Sequence, residues 1–392
     1  MTMIDNILLF PYWLSLKLRH FLYDKGVKKV RQADVPTVCI GNVTVGGTGK
    51  TPHTEMLLRA LLADDQLGRK SIAVLSRGYK RKLKGFQQVV VNGSAAEYGD
   101  EPMQIKRKFP MVTVAVDGSR IEGCDFLVHP EKLQTEKAAK KCKFKELLPA
   151  EVIILDDAFQ HRALKPTLSI VLIDHNRPTF KDHLLPIGRL RDLPERVGKA
   201  DVIIITKCPY DMNSWQKCTW ADNLGLKSFN AKECYGITPE GRKQYIFFTS
   251  IAYDTPEAIF HEGDPRYIHS KRMILFSGIA NDTPMARWLS GDYNIVKRFR
   301  FSDHHQFTKG NIAAISSAAL AHSTAVVMTT EKDAQRIRDC KRLSYDMKMR
   351  MFYLPIKTTF VTEEEERTFI SVVKKSLTGS DSEPQQTPRE WY

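Results

Sequence analysis

The segment Thr44-Val45-Gly46-Gly47-Thr48-Gly49-Lys50-Thr51 combines residue types that together hold phosphate. Glycines let backbone N–H groups turn inward onto an anion. A lysine at the end reaches terminal phosphates, and the following hydroxyl is a ligand for Mg²⁺. A β-rich run, Thr37 to Ile40, leads into the loop, and a helical stretch from Pro52 to Leu62 follows it. That strand-loop-helix context separates a phosphate cradle from an ordinary glycine-rich turn. The usual first glycine of such a loop is Thr44 here.

A second group of residues suits a metal ion and an anion. Val152-Ile153-Ile154-Leu155 is an apolar strand ending in Asp156-Asp157, where phosphate-binding loops find a carboxylate for Mg²⁺. Gln160 and His161 follow closely enough to reach back toward the phosphates. Arg77 in Ser76-Arg77-Gly78-Tyr79 and Arg191 in Gly188-Arg189-Leu190-Arg191 stand in loops where guanidinium groups could grip an anion in bidentate fashion. Asp100, in Gly99-Asp100-Glu101-Pro102, and His304, in Asp303-His304-His305, are a carboxylate and an imidazole. If they meet, they make a suitable base for an acceptor alcohol.

These residues must be held by a sheet. Short doubly apolar runs at 71–75, 152–155, 170–173 and 202–205 alternate with helical stretches, as in a parallel sheet covered on both faces. Polar residues gather just past their C-terminal ends, where open α/β sheets bind ligands. The rhythm lapses over 210–270 and resumes with strands near 273–276, 295–301, 325–329 and 351–355. The expected fold is therefore α/β: a P-loop NTPase-like parallel-sheet lobe (24–209), an extended linker region (210–272) and a smaller C-terminal α/β lobe (273–365). Residues 379–392, rich in Ser, Pro and Gln, are expected to be disordered.

Composition narrows the partners. The 392 residues carry 59 basic and 45 acidic side chains, a net charge of +14, which suits phosphate-bearing partners or an anionic membrane. Seven scattered cysteines without a C-x-x-C pair fit reduced thiols better than a disulfide framework or a zinc site. Residues 1–23 are apolar and aromatic but broken by Lys17, Arg19 and His20, too short a run for a span of about 20 residues. Pro11 fits the first turn of a helix whose Leu14, Leu18, Phe21 and Leu22 share a face. Two readings stand: a helix lying in a membrane interface, which is preferred, and a helix packed on the protein's own core.

Gly41-Asn42 with the glycine-rich loop, Ser76-Arg77-Gly78-Tyr79, Gly99-Asp100-Glu101-Pro102, Asp156-Asp157-Ala158-Phe159-Gln160-His161, Arg189-Leu190-Arg191 and Asp303-His304-His305 together resemble the tetraacyldisaccharide 4′-kinase family, in the family's order. The resemblance implies transfer of the ATP γ-phosphate to the 4′-hydroxyl of tetraacyldisaccharide 1-phosphate, giving lipid IVA in lipid A biosynthesis. It implies ATP and Mg²⁺ as cofactors and peripheral association with the cytoplasmic face of the inner membrane of a Gram-negative bacterium. It further implies Asp100 as base assisted by His304, and Lys50 on the β- and γ-phosphates. Thr51, Asp156 and Asp157 would organise Mg²⁺, and Arg77, Tyr79, Gln160, His161 and Arg191 would contact phosphate or acceptor. Three places depart from the family's pattern: Ala158 for a common glycine, Asp192-Leu193 for the more usual Glu-Pro, and a longer lysine-rich segment near 130–146. No nucleic-acid partner is expected, and the oligomeric state is left open with a monomer favoured.

Alternatives are a regulatory P-loop NTPase and a nucleic-acid-binding ATPase. The first should carry an Asn-Lys-x-Asp base reader, but that place reads Thr206-Lys207-Cys208-Pro209. The second should show a reader module, and none is evident.

Overall fold

The computed structural model describes residues 3–340 and 343–379. The expected 379–392 tail lies outside them except for Gly379. That glycine, at φ 68°, closes the last helix, Glu363–Thr378, by donating its N–H to Lys375 O.

The chain divides into two units, and neither is continuous in sequence: 1–77, 117–251 and 358–392 form one, 78–116 and 252–357 the other. The sequence-based boundaries place 78–116 in the P-loop lobe and 210–272 in a linker. Instead, 78–116 groups with the smaller unit. The 210–251 stretch supplies a helix, Ser214–Asn223, and strands including Lys243–Tyr253 to the larger one.

In the larger unit, six parallel strands run in the order Ile72–Ser76, Val152–Asp156, Thr37–Gly41, Leu168–Asp174, Val202–Thr206 and Lys243–Tyr253. Tyr235–Ile237 and Ser228–Asn230 continue the sheet antiparallel. Cys39 lies opposite Leu155, and Val38 opposite Leu168. Every residue of the first five strands is buried, which is why they read as unbroken apolar runs rather than alternating ones. Thr37–Gly41 sits where the chain reverses its direction of travel across the sheet, and crevices for ligands open at the carboxyl ends of such strands.

Of two further helices of this unit, one differs from its sequence-based reading and the other was not read from sequence. The first helix, α1, spans Met3–Asp24 with Pro11 inside it rather than in its first turn. Its Leu9 and Leu16 join the core with Val43, Val171 and Leu190, while Phe10, Leu14, Leu18 and Phe21 remain exposed. Core packing and an exposed apolar stripe therefore coexist on one helix. Glu363–Thr378 starts at Thr362, whose side chain accepts from Glu365 N, and carries four glutamates in its first turn, which suits the helix dipole. Its Phe369, Val373 and Leu377 recur at four-residue spacing and are all buried.

The smaller unit has a sheet ordered Glu257–Ala258, Met351–Leu354, Val326–Thr330, Arg272–Ser277 and Asn294–Arg300, parallel apart from the first strand. Apolar clusters lie on its two faces, one around Ile315 and Ile337, the other around Met285 and Leu289. The helix Asp100–Lys108 packs against the helix Glu331–Arg338, which opens directly from the strand Val326–Thr330.

Candidate functional site

The loop after Thr37–Gly41 has the backbone that its glycines allow. Gly46, Gly47 and Gly49 take φ values of 71°, 64° and 85°, a left-handed region that L side chains rarely adopt. Gly41 is required for another reason: a Cβ there would lie 2.6 Å from the Cβ of Phe159. The loop is braced from beneath. Asn42 Nδ2 donates to Thr48 Oγ1 at 2.6 Å, and Thr206 Oγ1 donates to Thr48 O at 3.1 Å. Lys207 Nζ donates to Gly47 O and pairs with Asp174 at 2.6 Å. Lys50 and Thr51 open the helix Lys50–Ala63, with Gly49 as its N-cap, so unpaired N–H groups and the positive end of the dipole face any bound anion.

His53, on the same helix, is buried; its Nδ1 is 2.7 Å from Gly49 O and its Nε2 2.9 Å from Thr249 Oγ1. A carbonyl only accepts, so Nδ1 carries the proton. Burial pushes the imidazole down to about 4, and it stays neutral.

Lys50 Nζ stands 3.7 Å from Asp157 Oδ1. Arg191 meets the same carboxylate through both terminal nitrogens, with Nη1 3.1 Å from Oδ2. Burial would raise the Asp157 carboxyl, but Lys50 and Arg191 outweigh it and hold it below its ordinary value. Asn42 ties this group together: its Oδ1 accepts from Arg191 Nη2 at 2.5 Å, and its O accepts from Gln160 Nε2 at 2.6 Å. Asp156, 1% exposed, accepts from Ser76 Oγ at 3.1 Å. Arg77 is exposed past the end of Ile72–Ser76, and burial, with Arg120 and other cations nearby, pulls His161 down. Among the described residues no hydrogen bond links the side chain of Arg77 or His161 to Lys50, Asp157 or Arg191.

The smaller unit brings Asp100 and His304 together, the encounter that sequence left open. His304 Nδ1 is 3.4 Å from Asp100 Oδ2, and the Tyr79 ring lies edge-on to the imidazole at 5.3 Å. Two residues absent from the sequence-based site complete the cluster. Arg336 donates to Asp100 Oδ2 from Nε at 3.0 Å and from Nη2 at 2.5 Å. Lys332 Nζ is 3.2 Å from both His304 Nε2 and Glu101 Oε1. Their signal was present: Thr330-Glu331-Lys332-Asp333 is a polar run just past a parallel strand.

Asp156, Asp157 and Thr51 offer only oxygen donors, which suits a hard divalent cation. Among the described residues no cluster of three or more His, Cys, Asp or Glu is arranged for a metal. Mg²⁺ takes one or two carboxylates and fills its remaining positions with water and substrate phosphate.

A family model for tetraacyldisaccharide-1-P 4′-kinase matches residues 4–376. The chain belongs to the tetraacyldisaccharide-1-P 4′-kinase family. It is 35% identical over 361 residues to the tetraacyldisaccharide 4′-kinase of Phocaeicola vulgatus, covering 91% of this chain and 90% of that one. It is 33% identical over 379 residues to that of Flavobacterium johnsoniae, covering 94% and 98%. A crystal structure of LpxK from Aquifex aeolicus in complex with ATP superimposes with a TM-score of 0.63 at 25% identity, covering 94% of this chain and 98% of that one. The 4′-kinase family thus shares both the α/β architecture and the length of this chain.

Proposed function

We propose that this member of the 4′-kinase family transfers the γ-phosphate of ATP to the 4′-hydroxyl of tetraacyldisaccharide 1-phosphate, giving lipid IVA. The observation that supports a kinase over a switch NTPase is the Asp100–His304 pair, because an alcohol acceptor needs a base and a nucleotide switch does not.

On this reading the donor side belongs to the larger unit. The backbone of Val45 to Gly49 cradles the β- and γ-phosphates, and Lys50 stabilises the charge that spreads over the transferring group. Thr51 and Asp157, with Asp156 beside them, would hold Mg²⁺, which when bound neutralises phosphate charge. Arg191, Gln160, Arg77 and His161 supply further phosphate or acceptor contacts. The smaller unit supplies the acceptor's base. The 4′-oxygen attacks the γ-phosphorus, the bond to the bridging oxygen breaks, ADP departs, and the hydroxyl proton goes to Asp100. Tyr79 contacts acceptor or phosphate beside His304.

Asp100 is a weak proton sink, held at about 2. Burial alone would raise it, but hydrogen bonds from His304 and Arg336 prevail. In a loose phosphoryl-transfer transition state the proton leaves late, so orienting the hydroxyl matters more than basicity. A lipid acceptor accounts for the exposed apolar stripe of α1. That stripe would seat the enzyme peripherally on the cytoplasmic face of the inner membrane, and no helix of the described residues is long and apolar enough to cross it.

The test is purified protein with Mg·ATP and the acylated disaccharide 1-phosphate in mixed micelles. A doubly phosphorylated product is expected, and Asp100→Ala should lower turnover about 100-fold or more while ATP still binds. Absence of that product from wild-type protein would sink the reading.

A further inference from the structure

The polar side of α1 is tied at several points to the segments that carry Arg191 and Gln160. Tyr12 Oη donates to Arg191 O at 2.9 Å, and His20 Nε2 lies 2.6 Å from Asp192 Oδ1. Lys17 Nζ meets Glu195 Oε1 at 2.5 Å, and Arg19 Nη2 donates to Gln160 O at 2.6 Å. The His20–Asp192 pair is buried, at 5% and 1% exposure. Arg162 Nη1 donates to His20 Nδ1 at 3.1 Å, which makes Nδ1 an acceptor and leaves Nε2 as the donor to Asp192. Asp192 Oδ1 also accepts from Leu193 N at 2.9 Å.

The backbone of Arg191 is thereby fixed on every side. Its N–H donates to Val43 O at 2.9 Å, its carbonyl is held by Tyr12, and the next residue is held by His20. An arginine has many rotamers, and a bidentate grip on Asp157 with a third bond to Asn42 needs its Cα placed to within a fraction of an ångström. A loop alone does not supply that precision; a helix anchored in the core by Leu9 and Leu16 does.

We propose that Tyr12 and His20 are positioning residues for Arg191, so that α1 is part of the framework of the phosphate site as well as a lipid-facing element. The inference rests on the reading of Arg191 as a phosphate contact in the kinase reaction. Arg19 reaches Gln160 by a separate route, so α1 supports two contacts of Asn42 at once.

The deciding experiment is a double-mutant cycle with lipid-vesicle binding as a control. His20→Ala should lower kcat about 10- to 100-fold, with partition into anionic phospholipid vesicles unchanged. His20→Gln, which keeps a donor near the Nε2 position, should recover most of that loss. In an Arg191→Ala background the further cost of His20→Ala should be under about twofold, because the residue it positions is gone. An equal fold-loss in both backgrounds, or loss of vesicle binding in step with activity, would overturn the proposal. If His20→Ala does not fold, Tyr12→Phe removes only a hydroxyl and completes the same cycle, with a smaller loss expected.

If wild-type protein makes no phosphorylated product, the kinase reading fails by itself. Positioning is then judged from the ¹⁵Nε resonance of Arg191, assigned with Arg191→Lys. A shift on Tyr12→Phe supports the proposal, and an unmoved resonance overturns it.

Discussion

Arg336 Nε donates to Asp100 Oδ2 at 3.0 Å, and its Nη2 donates to the same oxygen. One guanidinium thus grips the proposed base and, through Nη1, also holds Asp333 at 2.7 Å. The Asp100 side chain is 12% exposed, and burial pushes its carboxyl up. His304 and Arg336 more than reverse this and bring it to about 2, so it is ionised throughout the physiological range. Arg336→Lys keeps the charge and loses the fork. The acid limb of the kcat/KM profile should then rise by about one pH unit, with a roughly 10-fold fall in turnover. Superimposable pH profiles for the two proteins would refute the role given to Arg336.

Lys332 fixes the tautomer of His304. An ammonium has donors only, so His304 Nε2, 3.2 Å away, accepts; the proton then resides on Nδ1 facing Asp100 Oδ2 at 3.4 Å, while Arg336 Nη2, equally near Nδ1, directs its N–H to Asp100. Lys332→Met should release this constraint, lower kcat about 10-fold and leave ATP affinity intact. Imidazole ¹⁵N shifts report the tautomer directly. Wild-type protein with the proton on Nε2 would contradict the assignment.

The strand, glycine loop and helix proposed to hold the donor phosphates were legible because their signal is local: strand, glycines, Lys50 and Thr51 are adjacent, and all the strands named from sequence exist. Asn42 was named as part of a motif but given no role, because a buried asparagine becomes informative only when its partners are known; here they are Thr48, Gln160 and Arg191, up to 149 residues away. The Asp100–His304 encounter spans 204 residues and could not be read from spacing. The unit boundaries failed for a related reason. The 78–116 segment has no compositional break from its neighbours, and its partner surface, the Glu331–Arg338 helix, comes more than two hundred residues later. Pro11 misled because proline favours a first turn, yet two turns of α1 precede it.

His53 makes stability depend on pH. Its ordinary value is 6.5 and burial lowers it to about 4 in the folded protein. The neutral folded form is favoured at pH 7. As pH falls through 6.5 the unfolded chain takes up a proton that the folded chain refuses until about 4. Stability is therefore lost across that window, by about 3 kcal/mol in all. His53→Asn retains a donor to Gly49 O and cannot titrate. Urea unfolding at pH 7 and pH 4.5 should give a smaller difference for the variant. An equal pH dependence in both proteins would exclude His53 as the cause.

The exposed stripe of α1 should govern lipid association. Phe10, Leu14, Leu18 and Phe21 are 55%, 48%, 56% and 55% exposed, at spacings that place them along one side of the helix. Leu9, Leu16 and His20 face the core instead, so changes on the stripe leave the fold intact. Each apolar side chain transferred from water to lipid contributes about 1.5–3 kcal/mol. Leu14→Ser, Leu18→Ser and Phe21→Ser together should weaken binding to anionic vesicles by more than about 100-fold. Lys25, Lys28 and Lys29 add about 1 kcal/mol each near an anionic surface, so wild-type binding should also weaken as salt is raised. Vesicle flotation measures both effects, with unfolding midpoints as the control for folding. A triple variant that floats like wild type would leave the apolar stripe without a lipid role.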